Sequence, residues 1–354
     1  MALEELTSES VDLLKRLIEI PRTSRNEQEA ADMLQNYMTE RCRLTVERTG
    51  NNLMAKAPEF HPERSTLLLN AHIDTVKPVS GWQRNPFSPT CEGERIYGLG
   101  SNDDGASLVS LLQTFRVLAQ EKLPYNLLFL ASAEEEVSGR NGMECMIPLL
   151  PKVDAAIVGE PTGMQPAIAE KGLMVLDVTA HGKSGHAARE EGDNAIYRAM
   201  DDMQWFRTHE WEKVSPLLGK VKTTVTIVNA GTQHNVIPDQ CTFTVDVRSN
   251  ELYSNEELFH LISSQVESEV KARSFRLNSS HISIKHPIVQ ALLALGKKPF
   301  GSPTLSDQAL MPFPSLKMGP GQSCRSHTAD EYIEISEIKD AISTYITLLR
   351  GLAF

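Results

Sequence analysis

Apolar positions along the chain fall into two patterns. Short unbroken runs bounded by polar residues occur at Leu67–Thr75 (LLLNAHIDT), Asn126–Ala131 (NLLFLA) and Val153–Val158. They have the character of strands buried on both faces of a parallel sheet. Around them the spacing becomes helical: Leu6, Val11, Leu14, Leu17 and Ile18 across residues 3–20, stopped by Pro21; then Asn26–Tyr37, with Asn26 as the expected cap; Leu108, Leu111, Leu112, Phe115 and Leu118 from Ala106 onward; Ile288–Leu295; and Ser336 to about Leu349. Short strands at Leu44–Val46 and Asn52–Ala57 flank a Gly50–Asn51 turn signal. From Leu173 the character changes to alternation. Strands Leu173–Ala180, Lys222–Val228 and Gln240–Arg248 surround helices Asn194–Phe206 and Glu256–Ala272, and a short strand is expected at His281–Lys285. That order predicts an α+β unit inserted into an α/β chain. The expected division is a discontinuous catalytic domain, 1–172 and 286–354, with a mixed and mostly parallel sheet, interrupted by a second domain at 173–285.

At 354 residues the chain exceeds what one core usually supports, which agrees with two domains. With 35 basic against 46 acidic residues the net charge is -11, which argues against nucleic acid or an anionic membrane as partner. The five cysteines, Cys42, Cys91, Cys145, Cys241 and Cys324, are scattered and include no C-x-x-C pair. This speaks against a disulfide framework and a thiolate zinc site, and for a reducing compartment. The polar opening MALEELTSES lacks the apolar core of a signal peptide, and no apolar run reaches the roughly 18 residues of a membrane span. The expected location is the cytoplasm.

Candidate chemistry gathers where the buried runs end, because ligands of open α/β sheets collect at the carboxyl ends of the strands. His72 and Asp74 close the first run, and on an extended chain they point the same way, so the Asp74 carboxylate could accept the second ring N–H of His72. Taken alone, this pair reads more readily as an ordinary core or surface feature than as a ligand pair. In YGLGSNDDG, Asp103 and Asp104 precede a helix and could simply cap it; a phosphate cradle is excluded by the two carboxylates and the lack of a lysine. Glu134, Glu135 and Glu136 follow the second run, where a solvated acidic turn is the plainer reading. Glu160 follows the third in GEPT, and His327 lies late in SHTADEY. Two histidines and several carboxylates without thiolate suit Zn²⁺, Co²⁺ or Mn²⁺. A pair of ions about 3.5–4 Å apart would need an anionic bridge, for which Asp103 is the candidate.

These motifs, in this order, resemble the acetylornithine deacetylase / succinyl-diaminopimelate desuccinylase family of dinuclear zinc hydrolases, which also holds aminoacylases, carboxypeptidases and dipeptidases. The resemblance runs from His72 to His327. It implies a zinc-exopeptidase-like fold with a ferredoxin-like lid and dimerisation domain. His72 and Glu160 would hold one ion, Glu136 and His327 the other, and Asp103 both, with a cis peptide after it. Glu135 would be the general base and Asp74 the partner of His72. In the insert, His186 of HGKSGHAA is similar to a histidine that reaches the partner subunit's site, while Asn235 of HNVIP and Arg248 of DVR resemble substrate-binding residues; Arg248 also reads as a surface strand residue. Two departures stand out. Gly105 occupies the place where most of the family has lysine, and the proline often found soon after the lid histidine is absent. The implied activity is metal-dependent hydrolysis of an N-acyl amino acid, with N-acetylornithine or N-acetylcitrulline of arginine biosynthesis first, by a homodimer. A dipeptidase or aminopeptidase using the same centre is the alternative, and an inactive metal-binding relative a further one.

Overall fold

The computed structural model describes residues 2–353. The chain separates into two compact units: one runs to Ile168 and includes Ile282–Phe300 and the chain from Ser306, and the other comprises Ala169–His281 with Gly301–Leu305.

In the first unit four parallel strands lie in the order Asn126–Ser132, Thr66–His72, Ala155–Val158 and Ser315–Lys317. Antiparallel neighbours extend the sheet on both sides: Asn52–Lys56 and Val46–Thr49 beyond Asn126–Ser132, and Ala167 opposite Lys317. Every residue of Thr66–His72 and Asn126–Ser132 is buried. The runs are unbroken because both faces are covered. Leu67, Leu69, Ala71, Leu127 and Phe129 join a cluster with Leu14 and Leu17, Leu111 and Phe115, and Ile342 and Tyr345, which belong to the helices Leu3–Glu19, Ala106–Leu118 and Ile335–Arg350. Leu68, Leu128 and Leu130 instead meet Met54, Met143 and Met146 in a second cluster. Side chains alternate along a strand, so Asn70 and His72 share the parity of Leu68. Each fully buried leucine here contributes on the order of 1.5–3 kcal/mol, which makes the carboxyl end of this sheet a fixed platform.

Local departures have local causes. The first strand ends at His72, not Thr75: beyond it the chain turns to Arg22–Ser24, with Thr75 N–H donating to the Arg22 carbonyl at 2.9 Å and Ser24 N–H to that of Thr75 at 3.2 Å. Asn26 does not cap the second helix, Gln28–Asn36, which starts after Glu27 without a side-chain cap. The Asn26 amide donates to Thr23 Oγ1, and Glu27 is drawn inward to accept the Glu134 N–H at 3.0 Å. The strand expected from Leu44 begins at Val46, because Leu44 N–H donates instead to the Met38 carbonyl.

The second unit carries an antiparallel four-stranded sheet in the order Lys222–Ala230, Gln240–Arg248, Met174–His181, Glu269–Ala272. In chain order this is strand, helix, strand, strand, helix, strand, the split βαβ arrangement. The alternating residues Met174, Leu176, Val178, Phe243, Val245 and Val247 share one cluster with Ala199 and Phe206 of the helix Ala195–Thr208 and with Leu258 and Ile262 of Asn255–Ser263. The helix expected over 256–272 therefore stops at Ser263. The Asp202 carboxylate accepts the N–H groups of Glu267 and Ser268, pulling the chain out of the helix, and Glu269–Ala272 becomes the fourth strand. The strand expected at His281–Lys285 is confined to Ser280–His281, since a turn returns the His286 N–H to the Ser283 carbonyl. The fold class is thus α/β with a mixed, mostly parallel sheet, plus an α+β unit of ferredoxin-like order. No helix among the described residues is long and apolar enough to cross a membrane.

Candidate metal centre

Strand ends deliver most of the candidate groups. His72 is the last residue of its strand and only 2% exposed. Its Nδ1 lies 2.9 Å from the carbonyl oxygen of Asp74 and 3.5 Å from the Asp74 carboxylate, so the expected ring-to-carboxylate bond is made to the main chain instead. The turn toward Arg22–Ser24 swings the carboxylate aside: it accepts from Ser24 Oγ at 2.6 Å and from the N–H groups of Glu135 and Glu136 at 3.0 and 3.2 Å. Asp74 therefore ties the His72 strand to the acidic turn. A carbonyl can only accept, so Nδ1 carries a proton, and in a neutral ring the lone pair of Nε2 would face Asp103 Oδ1, 3.2 Å away.

The Asp103–Asp104 peptide is cis, as the resemblance implies. Asp103 offers its two oxygens in two directions. Oδ1 faces His72 Nε2, and Oδ2 lies 3.7 Å from His327 Nε2. His327, half exposed and with a φ of 58°, brings the same Nε2 to 3.0 and 3.3 Å from the Glu136 carboxylate oxygens. Glu135 Oε2 is 3.9 Å from His72 Nε2. One ligand atom each from His72, Glu135 and Glu160 lie within 4.8 Å of one another, and so do those from His72, Asp103 and Glu136. The structure thus brings together His72, Asp103, Glu135, Glu136, Glu160 and His327. It turns Glu134 away: that carboxylate accepts from the Asn141 side chain at 2.8 Å.

Electrostatics tests whether cations fit. Burial, then repulsion from Glu160, Asp307 and Glu136, pushes Glu135 well above the usual carboxylate range, although His72 pulls it down. Burial does the same to Glu160, helped by Asp103 and Asp104 and opposed by Lys317 and His72. Burial would lower His72, yet Asp103, Asp74 and Glu135 raise it well above its ordinary value. The hydrogen bond to Glu136 lifts His327 to about 9. A crowd of partly buried acids in which Glu135 and Glu160 are driven toward their protonated forms is short of positive charge. Two divalent ions would supply that charge, and the mixed N and O donor set suits them.

The remaining candidates lie in the second unit. Gly185–His186 pairs with Val236–Ile237, and the Ala187 N–H donates to the Asn235 carbonyl at 3.0 Å, so His186 and Asn235 are neighbours, both exposed. Arg248 forks onto Asp246 of its own strand at 2.9 and 3.1 Å.

Three residues escaped the sequence reading. Glu331, 2% exposed, accepts the N–H groups of Gly100, Asn102 and Asp103 at 3.0, 2.8 and 2.9 Å and so fixes the turn that carries Asp103. Its only signal was its place four residues after His327. Lys317, also buried, acts on Glu160, and Arg22 is fully buried behind the turn; neither stood in a motif. The glycine at 105 is enforced by packing, since a Cβ there would fall 2.3 Å from the Gly100 carbonyl oxygen and 2.7 Å from Leu14.

Residues 68–351 match the profile of "Peptidase family M20/M25/M40". An acetylornithine deacetylase of Pectobacterium carotovorum is 29% identical over 311 residues, 81% of this chain and 80% of that protein. Among solved structures, aminopeptidase PepT from Bacillus cereus superposes with a TM-score of 0.76 at 17% identity, covering 97% of this chain and 98% of its own. A dinuclear metal-binding peptidase of family M20 from Bacillus subtilis gives 0.74 at 17% identity, with 98% of each chain covered. With its family profile matched over most of its length and a cluster of histidines and carboxylates at the carboxyl end of its sheet, this chain belongs to peptidase family M20/M25/M40 and is a metal-dependent amide hydrolase.

Proposed function

We propose that the enzyme hydrolyses the amide bond of an N-acyl amino acid, N-acetylornithine or N-acetylcitrulline first, with two divalent ions, zinc before cobalt or manganese. The observation that carries this reading is the Asp103 carboxylate, one oxygen toward His72 and the other toward His327. The acetylornithine deacetylase relative supports the choice of acyl substrate. In this reading His72 and Glu160 would hold one ion, Glu136 and His327 the other, and Asp103 would serve both. Bound there, the ions would polarise the amide carbonyl and acidify solvent.

The chain's own residues then divide the work. Glu135, grouped with His72 and Glu160, takes a proton from water as the water oxygen bonds to the amide carbon, and returns it to the leaving amine as the C–N bond breaks. Asp74 keeps Glu135 and Glu136 aimed by gripping their N–H groups, and Glu331 does the same for Asp103. Arg248 would leave Asp246 to pair with the substrate carboxylate, while His186 and Asn235 would serve a partner subunit's site, the inserted domain acting as lid and dimer contact. Support for a dimer comes from the strand Lys222–Ala230, an edge of its sheet, on which Ile227 and Val228 are each about half exposed.

The test offers zinc- and cobalt-loaded protein acetylated, succinylated and formylated ornithine, citrulline and lysine beside a dipeptide panel, and measures free amine. Release from an N-acyl amino acid is expected. Release from dipeptides alone overturns the choice of substrate, and sedimentation as a monomer overturns the dimer.

A further inference from the structure

Arg22 is among the largest fully buried side chains of the protein, 1% exposed, and it is not part of the ligand set. Its guanidinium reaches three carbonyl oxygens: Nε donates to Leu17 at 3.3 Å, Nη1 to Ile73, and Nη2 to Gly100 at 2.9 Å. Ile73 stands between His72 and Asp74, and Gly100 opens the turn that ends in Asp103. One rigid fork thus grips both ligand-bearing segments from behind, with its other donor on the end of the first helix. Lysine has no such geometry, because a single ammonium on a flexible stem cannot span fixed acceptors in this way.

The surroundings are shaped to this group. A Cβ at Gly100, whose φ is 72°, would fall 2.5 Å from Arg22 Nη2, and one at Gly105 would fall 3.2 Å from it. Both positions are therefore glycine beneath the guanidinium. The charges acting on it, Glu331, Asp74, Asp104 and Asp103, all belong to the site or to the residues that hold it. Glu331 secures the same turn through N–H groups while Arg22 secures it through a carbonyl, so the two ends of the main-chain dipoles in 100–103 are satisfied by opposite charges.

We infer that Arg22 is a positioning residue of the metal centre: it fixes the spacing between the His72 strand and the Asp103 turn, and so sets how tightly and in what geometry the first metal-binding groups close on an ion. This rests on the reading of the site as a metal centre. The experiment titrates cobalt(II) into metal-free full-length wild type, Arg22→Met and Arg22→Lys, following the visible absorption band of bound cobalt, with circular dichroism as the check on folding. The expected result is that both variants fold, bind cobalt at least tenfold more weakly, and show an altered band shape and intensity. Arg22→Met probes the loss of both fork and charge; Arg22→Lys keeps the charge alone. Cobalt affinity and band within twofold of wild type in Arg22→Met overturn the inference, even if thermal stability falls, as does full restoration by lysine, which would make the charge and not the fork the cause. Loss of fold in both variants also overturns it, because a merely structural role is then sufficient. Failure of the wild type itself to take up cobalt has a different meaning: it refutes the metal-centre reading on which the inference stands.

Discussion

The carboxyl end of the parallel sheet and the candidate residues of the second unit differ in how completely each is built. At the sheet end, His72, Asp103, Glu135, Glu136, Glu160 and His327 are gathered on one another, His72 buried and the four carboxylates partly buried, and their main chain is gripped by Asp74, Glu331 and Arg22. In the second unit His186 and Asn235 lie exposed on a two-residue ribbon, and Arg248 is satisfied by Asp246 two residues away. Mutual contact and burial mark a centre assembled by folding. Exposure with a replaceable local partner marks residues whose role, if they have one, depends on something that arrives later.

The sharpest way to break this contrast is at the centre. Glu135→Gln should lower turnover by roughly 10²–10⁴ while leaving metal content unchanged by elemental analysis, because in the proposed division of roles the base is lost and no ligand is. Near-normal turnover in the loaded variant removes Glu135 from the role of base. Next, Asp74→Ala should weaken metal binding about 10–100-fold, since the Glu135 and Glu136 N–H groups and the Ser24 hydroxyl lose their common acceptor. Competitive chelator titration measures this, and an unchanged affinity would mean that the Asp74 brace is dispensable.

Protons sharpen the contrast further. With a pKa of about 9, His327 in the metal-free protein keeps its proton at neutral pH, whereas a ligand imidazole must be neutral. Metal uptake at pH 7 should therefore release protons, His327 giving one and the upward-shifted His72 and Glu160 adding to it, and apparent affinity should climb up to tenfold per pH unit for each proton lost, the share of His327 levelling above about pH 9. The folded value is raised above the ordinary one of about 6.5. The His327–Glu136 pair therefore stabilises the metal-free fold fully below about pH 6.5 and loses that contribution as pH rises through about 9. Calorimetry in buffers of different ionisation enthalpy reads the proton count, and an affinity that is flat with pH would contradict it. The smallest effects belong to the second unit. His186→Ala and Arg248→Ala should each cost about tenfold in kcat/KM, the scale of one charge-assisted hydrogen bond, with the Arg248 loss in KM. Effects within twofold at both would leave the second unit without a catalytic part.

Legibility followed locality. The buried runs and the helical spacing carried the first unit nearly whole, and the alternating strands carried most of the second. Where the reading slipped, a distant group was responsible. Asp202, more than sixty residues upstream, drew Glu267 and Ser268 out of the expected helix, and the Arg22–Ser24 segment redirected the chain after His72. The same reason hid Glu331, Lys317 and Arg22, since each acts on a main-chain segment or a charge supplied from far along the chain.

Sequence alone determined which side chains would stand at strand ends, because a hydrophobic run declares its burial and its terminus within a few residues. It also determined the donor chemistry, nitrogen and carboxylate oxygen without thiolate. Only the tertiary structure decided which way those groups face: that Asp74 serves the acidic turn more than the imidazole, that Asp103 looks toward two histidines, and that Glu134 looks toward neither. Orientation is set by packing and hydrogen bonds between segments remote in sequence, whose partners no local pattern can name.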